Sequence, residues 1–87
     1  MQLSSKIIEL IEFIYESGHV TKSTRPFLSK IRYYDNIWYL RDCGIVAENG
    51  LTDDLQKKWI LTEKGLKVAE HLKIISELCK GEHGGEV

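Results

Sequence analysis

Between positions 17 and 41 the basic residues Lys22, Arg25, Lys30, Arg32 and Arg41 face a single acid, Asp35, so this stretch carries +4 in a chain whose total is −1. A local positive segment of this kind focuses attraction for phosphates on one surface, whatever the total charge. Inside it, Arg32, Asn36 and Tyr39 recur at i, i+4 and i+7, the spacing of one helical stripe, with Tyr33, Ile37 and Leu40 at the inward spacing. Arginine donates in a fork to guanine and asparagine pairs with adenine in the major groove, so the stripe has the chemistry to read base edges. A solvated helix face of ordinary polar residues is the competing reading, and Tyr34 competes with Tyr33 for the inward place. Just upstream, Thr21, Lys22, Ser23, Thr24 and Arg25 gather hydroxyls, backbone N–H groups and cations where a helix begins, an arrangement that holds a phosphate or simply caps the helix. Lys30 faces the same side. Lys57 and Lys58 add two cations later in the chain.

Other chemistries find no support. His19, His71 and His83 are far apart, Cys43 and Cys79 lack zinc-site spacing, and no Gly-rich phosphate loop, nucleophile elbow or paired carboxylates occur. These patterns point away from an enzyme, a metal site or a cofactor. The two thiols read as free or buried, with a bridge from Cys79 to its own copy as the other reading. Charges interrupt every apolar run well short of the roughly 18 residues a membrane span needs. Glu9 breaks any signal-peptide core, so the expected location is intracellular.

The elements that must position these residues follow from periodicity. With 87 residues there is one domain. Leu3, Ile7, Leu10, Ile11 and Ile14 predict a helix over about 5–16, stopped by Ser17-Gly18. His19-Val20-Thr21 reads as extended. Thr21 or Ser23 caps a short second helix with Pro26 in its first turn, reaching about Leu28 or Ile31. A third helix over about 30–43 ends at Gly44, and the tight turn between the two is a helix-turn-helix signature. Ile45–Glu48 and Lys57–Leu61 predict a hairpin whose long tip starts at Asn49-Gly50. Thr62 caps a last helix over about 62–80, with Leu66, Ala69, Leu72, Ile75 and Cys79 as one apolar stripe and Val68, Ile74 and Leu78 as a second. Residues 81–87 have nothing to bury and read as a disordered tail.

The segments Leu40-Arg41-Asp42-Cys43-Gly44-Ile45-Val46 and Trp59-Ile60-Leu61-Thr62-Glu63-Lys64-Gly65 resemble the end of the recognition helix and the wing exit of regulators in the MarR, ArsR and PadR groups. In the second segment Leu61 closes the core, Thr62 caps the helix and Gly65 lets it start against neighbouring backbone. The resemblance implies a winged helix-turn-helix, mainly α with a small β-hairpin wing, in the order α-β-α-α-β-β-α. It also implies a transcriptional regulator that binds double-stranded DNA through the helix at about 30–43. Arg32, Asn36 and Tyr39 would read bases; Lys22, Ser23, Thr24, Arg25, Lys30, Lys57 and Lys58 would hold phosphates. Asp53 and Asp54 depart from the pattern by placing acids at the wing tip. The wide apolar coverage of the terminal helices predicts a homodimer, with Ile8, Phe13, Val68, Ile74, Leu78 and Cys79 as interface candidates. The alternative is a winged-helix protein-interaction module that uses Tyr34, Trp38 and Tyr39 and binds no DNA. With no separate ligand domain, an effector-free factor is the simpler expectation.

Overall fold

Ser4 opens the first helix, its hydroxyl accepting the Ile7 N–H at 3.2 Å, and Gly18 closes it in the left-handed conformation at φ 89°. The computed structural model describes residues 3–26 and 29–86, of which 80–86 by their backbone. Its elements are α1 (Ser5–Ser17), α2 (Lys30–Asp42), β1 (Val46–Leu51), β2 (Lys57–Leu61) and α3 (Glu63–Glu86). The strands pair antiparallel, Val46 with Leu61 and Glu48 with Trp59, and Val20 forms an isolated bridge on the other edge of Trp59. The fold is a winged helix-turn-helix, mainly helical with a two-stranded wing.

One core serves all elements. Ile7, Leu10, Ile11 and Ile14 of α1 meet Tyr33, Ile37 and Leu40 of α2, Val20, the wing residues Val46, Trp59 and Leu61, and Ala69 of α3. Leu3 is 41 % exposed instead. It precedes the Ser4 cap, so the helical spacing that would turn it inward does not reach it. At α2 the structure selects Tyr33 as the inward residue and leaves Tyr34 half-buried. The Tyr33 hydroxyl is buried and has no hydrogen-bond partner among the described residues. Burial first, then the neighbouring Tyr34, hold its phenol above the ordinary tyrosine range, against a smaller opposing pull from Arg25.

The short second helix expected after Thr21 is not found among the described residues; Lys22–Thr24 form a turn, and Phe27 and Leu28 lie outside those residues. The cause is which residue caps. The Thr24 N–H donates to Thr21 Oγ1 (3.2 Å) and the Thr21 N–H donates to Thr24 Oγ1 (2.9 Å), a reciprocal capping box. With Thr21 as cap, Pro26 falls beyond the first turn, where a helix needs its missing N–H to reach the Lys22 carbonyl. The Arg25 guanidinium donates to that carbonyl instead.

The wing also differs in detail. β1 continues through Asn49-Gly50 to Leu51, because a register shift between Glu48 and Leu51, with Gly50 at φ 77°, absorbs the turn signal as a bulge. In α3, Ala69 is buried and Val68 and Leu72 pack on the core, whereas Leu66, Ile74, Ile75 and Leu78 are exposed. Neither predicted stripe is wholly internal. At about 1.5 Å per residue α3 runs about 36 Å against about 20 Å for α1, so α1 cannot cover its far half. The helix backbone continues to Glu86, past the limit near 80 that the sequence suggests.

The junction of α2, the wing and α3 is closely fitted. A Cβ on Gly65 would overlap the Ile45 carbonyl oxygen and come within 3.2 Å of the Ile45 side chain. Gly65→Ala should therefore cost about 3 kcal/mol, read as a lower urea midpoint at unchanged slope. Tyr33→Phe removes a buried hydroxyl that bonds to no described residue and should raise stability by about 1 kcal/mol in the same assay; a loss of that size would show that the hydroxyl is satisfied in solution.

Candidate nucleic-acid interface

Ser29 caps α2 by accepting the Arg32 N–H at 3.3 Å, and the helix ends at Cys43 with Gly44 left-handed at φ 78°. With about 100° per residue, Arg32, Asn36 and Tyr39 lie on one flank and Tyr34, Trp38 and Arg41 on the other. Ile31, Asp35 and Asp42 form the ridge between them, most directly opposed to the buried Tyr33, Ile37 and Leu40. Arg32 and Tyr39 are exposed, and Asn36 is half-buried. The stripe read from the sequence is thus one shoulder of the helix, beside a ridge that carries two carboxylates. One of these, Asp42, is engaged by Arg41 at 3.1 Å.

The other flank faces the wing. Tyr34 and Trp38 stack with centroids 5.4 Å apart and planes at 28°, and Tyr33 meets Tyr34 edge-on at 5.3 Å. Together with Trp59, Leu55 and Lys57 of the wing they line a cleft of about 310 Å³, and Lys22 reaches it from the upstream turn. The turn is tied to the wing: Gln56 Nε2 donates to Ser23 Oγ at 2.6 Å, and the Ser23 N–H donates to Gln56 Oε1 at 3.2 Å.

Of the phosphate candidates, Lys22 and Lys57 are brought together by this cleft, from segments 35 positions apart. Lys57 also meets Glu48 at 3.4 Å on the wing. Lys58 points to the other strand face, since successive side chains alternate, and it is half-buried near Gly50. Lys30 is exposed at the start of α2. Ser23 is engaged by Gln56, Thr24 by Thr21, and Arg25 by the Lys22 carbonyl, so these three serve the turn itself. A phosphate seat built from the N-terminus of a second helix is not present among the described residues.

The interface candidates on the terminal helices divide as well. Phe13 and Val68 pack partly on the core and Ile8 is half-buried, whereas Ile74, Leu78 and Cys79 are exposed. Sequence reasoning missed Gln56, Leu55 and the orphaned Tyr33 hydroxyl. The signal for the last was present, because a tyrosine at a core position must find a place for its polar tip.

No family model and no curated protein sequence matches the chain. Solved structures do match in shape. MepR, a transcription regulator of the Staphylococcus aureus multidrug efflux pump MepA, superposes with TM-score 0.82 at 12% identity, covering 99% of this chain and 67% of that one. AF1382 from Archaeoglobus fulgidus gives 0.76 at 19% identity, covering 88% and 90% of the two chains. A mutant of Lactococcus lactis ZitR in apo form gives 0.76 at 20%, covering 97% and 68%. The chain thus shares, over nearly its whole length, the winged-helix fold of these proteins, MepR among them a transcription regulator.

Proposed function

We propose that this protein is a double-stranded DNA-binding transcriptional regulator that presents α2 to the major groove and binds as a homodimer. The observation that carries the reading is that Lys22 and Lys57, from two separate segments, line one cleft along the wing-facing flank of α2. A helix seated in the major groove leaves the bordering sugar–phosphate strand beside it, where these two cations meet it. The fold shared with MepR supports the same reading. Arg32 and Tyr39, both exposed, are the best placed to reach base edges, with Asn36 beside them. Lys30 adds charge at the start of the helix.

The exposed apolar side chains on α3, Ile74, Ile75 and Leu78, support pairing with a second copy, whose surface would cover what α1 does not. Cys79 is exposed beside them and is placed on the same proposed interface. A second reading also has an observation behind it. Ile31, Trp38 and Leu55 are 75 %, 47 % and 77 % exposed around α2 and the wing tip, a surface suited to a protein partner.

Binding to random-sequence duplex DNA at about 50 and 200 mM salt separates the two. The DNA reading expects affinity to fall at least tenfold between them, Arg32→Ala to weaken binding, and Lys22→Ala or Lys57→Ala each to reduce the log–log salt slope by about 0.9. Absence of binding at both salts favours the protein-interaction module. For the assembly, sedimentation should show a dimer that Ile74→Glu with Leu78→Glu converts to monomer; a monomeric parent chain at about 100 µM would remove the dimer from the proposal.

A further inference from the structure

Along the exposed face of α2, opposite Tyr33, Ile37 and Leu40, the ridge carries two residues that have no task in the fold. Ile31 is 75 % exposed, more than any other large apolar side chain of the helix. Asp35, one turn on, is exposed and makes no side-chain hydrogen bond or ion pair with another described residue, whereas Asp42 is engaged by Arg41. Asp35 is also the single acid of the basic stretch between positions 17 and 41. On a surface that had only to attract phosphates, an unpaired carboxylate on this ridge would be a net loss, because it repels every phosphate it approaches. It gains only where it meets a hydrogen-bond donor. In the major groove cytosine offers its N4 amino group alone, while adenine sets its N7 acceptor beside its own amino group, so a carboxylate selects cytosine. The apolar group on the same surface is the C5 methyl of thymine, which an aliphatic side chain can cover.

We propose that Ile31 and Asp35 are specificity-determining residues of this chain, Ile31 packing on a thymine methyl and Asp35 accepting from a cytosine amino group in the same half-site. The inference rests on the DNA-binding reading and adds to it the bases that the ridge selects, beside the shoulder of Arg32, Asn36 and Tyr39. Both residues lie in the first two turns of α2, the end of a recognition helix that meets base edges. Four positions separate them, about 6 Å along the helix against about 3.4 Å per base pair, so their targets lie about two pairs apart. They act by different physics. Ile31 gains by covering apolar surface, and one methyl group lost from that contact weakens binding about fourfold. Asp35 acts by exclusion: it lowers affinity for every sequence that sets an acceptor or a phosphate against it and recovers that loss only at the amino group. Its removal therefore strengthens general binding and weakens discrimination at the same time, a pair of effects that loss of a phosphate contact cannot produce.

The full chain is used to select duplexes from a random-sequence pool, and the selected site is remade with each thymine in turn replaced by uracil, which removes the methyl group and leaves the pairing edge intact. Ile31→Ala and Asp35→Asn are compared with the parent; both positions are exposed, so both variants should keep the parent's urea midpoint. Uracil at one position of each half-site should weaken the parent about fourfold and leave Ile31→Ala unaffected. Asp35→Asn should bind random-sequence duplex severalfold more tightly than the parent and lose at least about fivefold of the preference for cytosine at a position about two pairs away. Indifference to uracil at every position, a uracil effect that persists in Ile31→Ala, a site with no preferred cytosine, or a cytosine preference that Asp35→Asn leaves intact would overturn the proposal. In each of those cases salt-dependent binding that needs Arg32 leaves the DNA reading standing, whereas a chain that binds no duplex at any salt removes both.

Discussion

The arrangement depends on how closely α3 starts against the backbone at the end of α2. Gly65 stands where any side chain would meet the Ile45 carbonyl, and the neighbouring groups use that closeness. The Thr62 N–H donates to the Ile45 carbonyl at 2.9 Å, and the Thr62 hydroxyl donates to the Gly44 carbonyl at 2.6 Å while accepting the Gly65 N–H at 3.0 Å. Lys64 Nζ donates to the Cys43 carbonyl at 2.8 Å, a cation placed on the C-terminal end of α2 where the helix dipole favours it. The end of α2, the start of the wing and the start of α3 are thereby one joint. Its rigidity sets the angle between α2 and β2, and so the width of the cleft between them.

A second joint closes the other end. Val20 and Trp59 exchange backbone hydrogen bonds at 3.0 Å in both directions, and Ser23 is held by Gln56. Trp59 is consequently paired on both edges and buried, although the strand it belongs to has only five residues. The ion pairs of the wing and of α2 are solvent-exposed, and such pairs contribute about 0–1 kcal/mol, so they orient side chains more than they stabilise the fold. The stability of the wing rests on Trp59, Leu61 and Val46 reaching the common core.

Where sequence and structure agree, short-range chemistry decides. The helix from about 30 to Gly44 is legible because an inward series and a left-handed glycine mark it, although its Ser29 cap is seen only in the structure, and Leu61-Thr62 to Gly65 is legible because each residue has one evident task. The disagreements arise where two local signals compete. Thr21 and Ser23 are equally good caps by type, but only Thr21 has Thr24 three residues on to return the hydrogen bond, and that choice strands Pro26 outside the first turn. Asn49-Gly50 signals a turn, yet the glycine serves equally as a bulge within a longer strand. The apolar series on α3 is real, but its burial depends on the length of α1, which periodicity within α3 does not contain. The cleft was illegible for the same reason: Lys22 with Lys57 and Ser23 with Gln56 are tertiary pairings, and nothing in the spacing of either segment announces the other.

The position of the cleft has a consequence for how two copies would work together. The exposed apolar residues of α3 lie at or beyond position 66, on the far side of the Gly65 joint from α2. A dimer joined through them would place the two α2 helices about one DNA turn apart, near 34 Å, with each cleft contained in a single protomer. Coupling between the two α2 helices of such a pair would have to pass through the Gly65 joint and along α3. That joint is held by backbone contacts that leave little room for a second arrangement, and transmission between sites needs an element with two. Two copies paired through α3 would therefore hold their α2 helices at a fixed spacing and would not switch together.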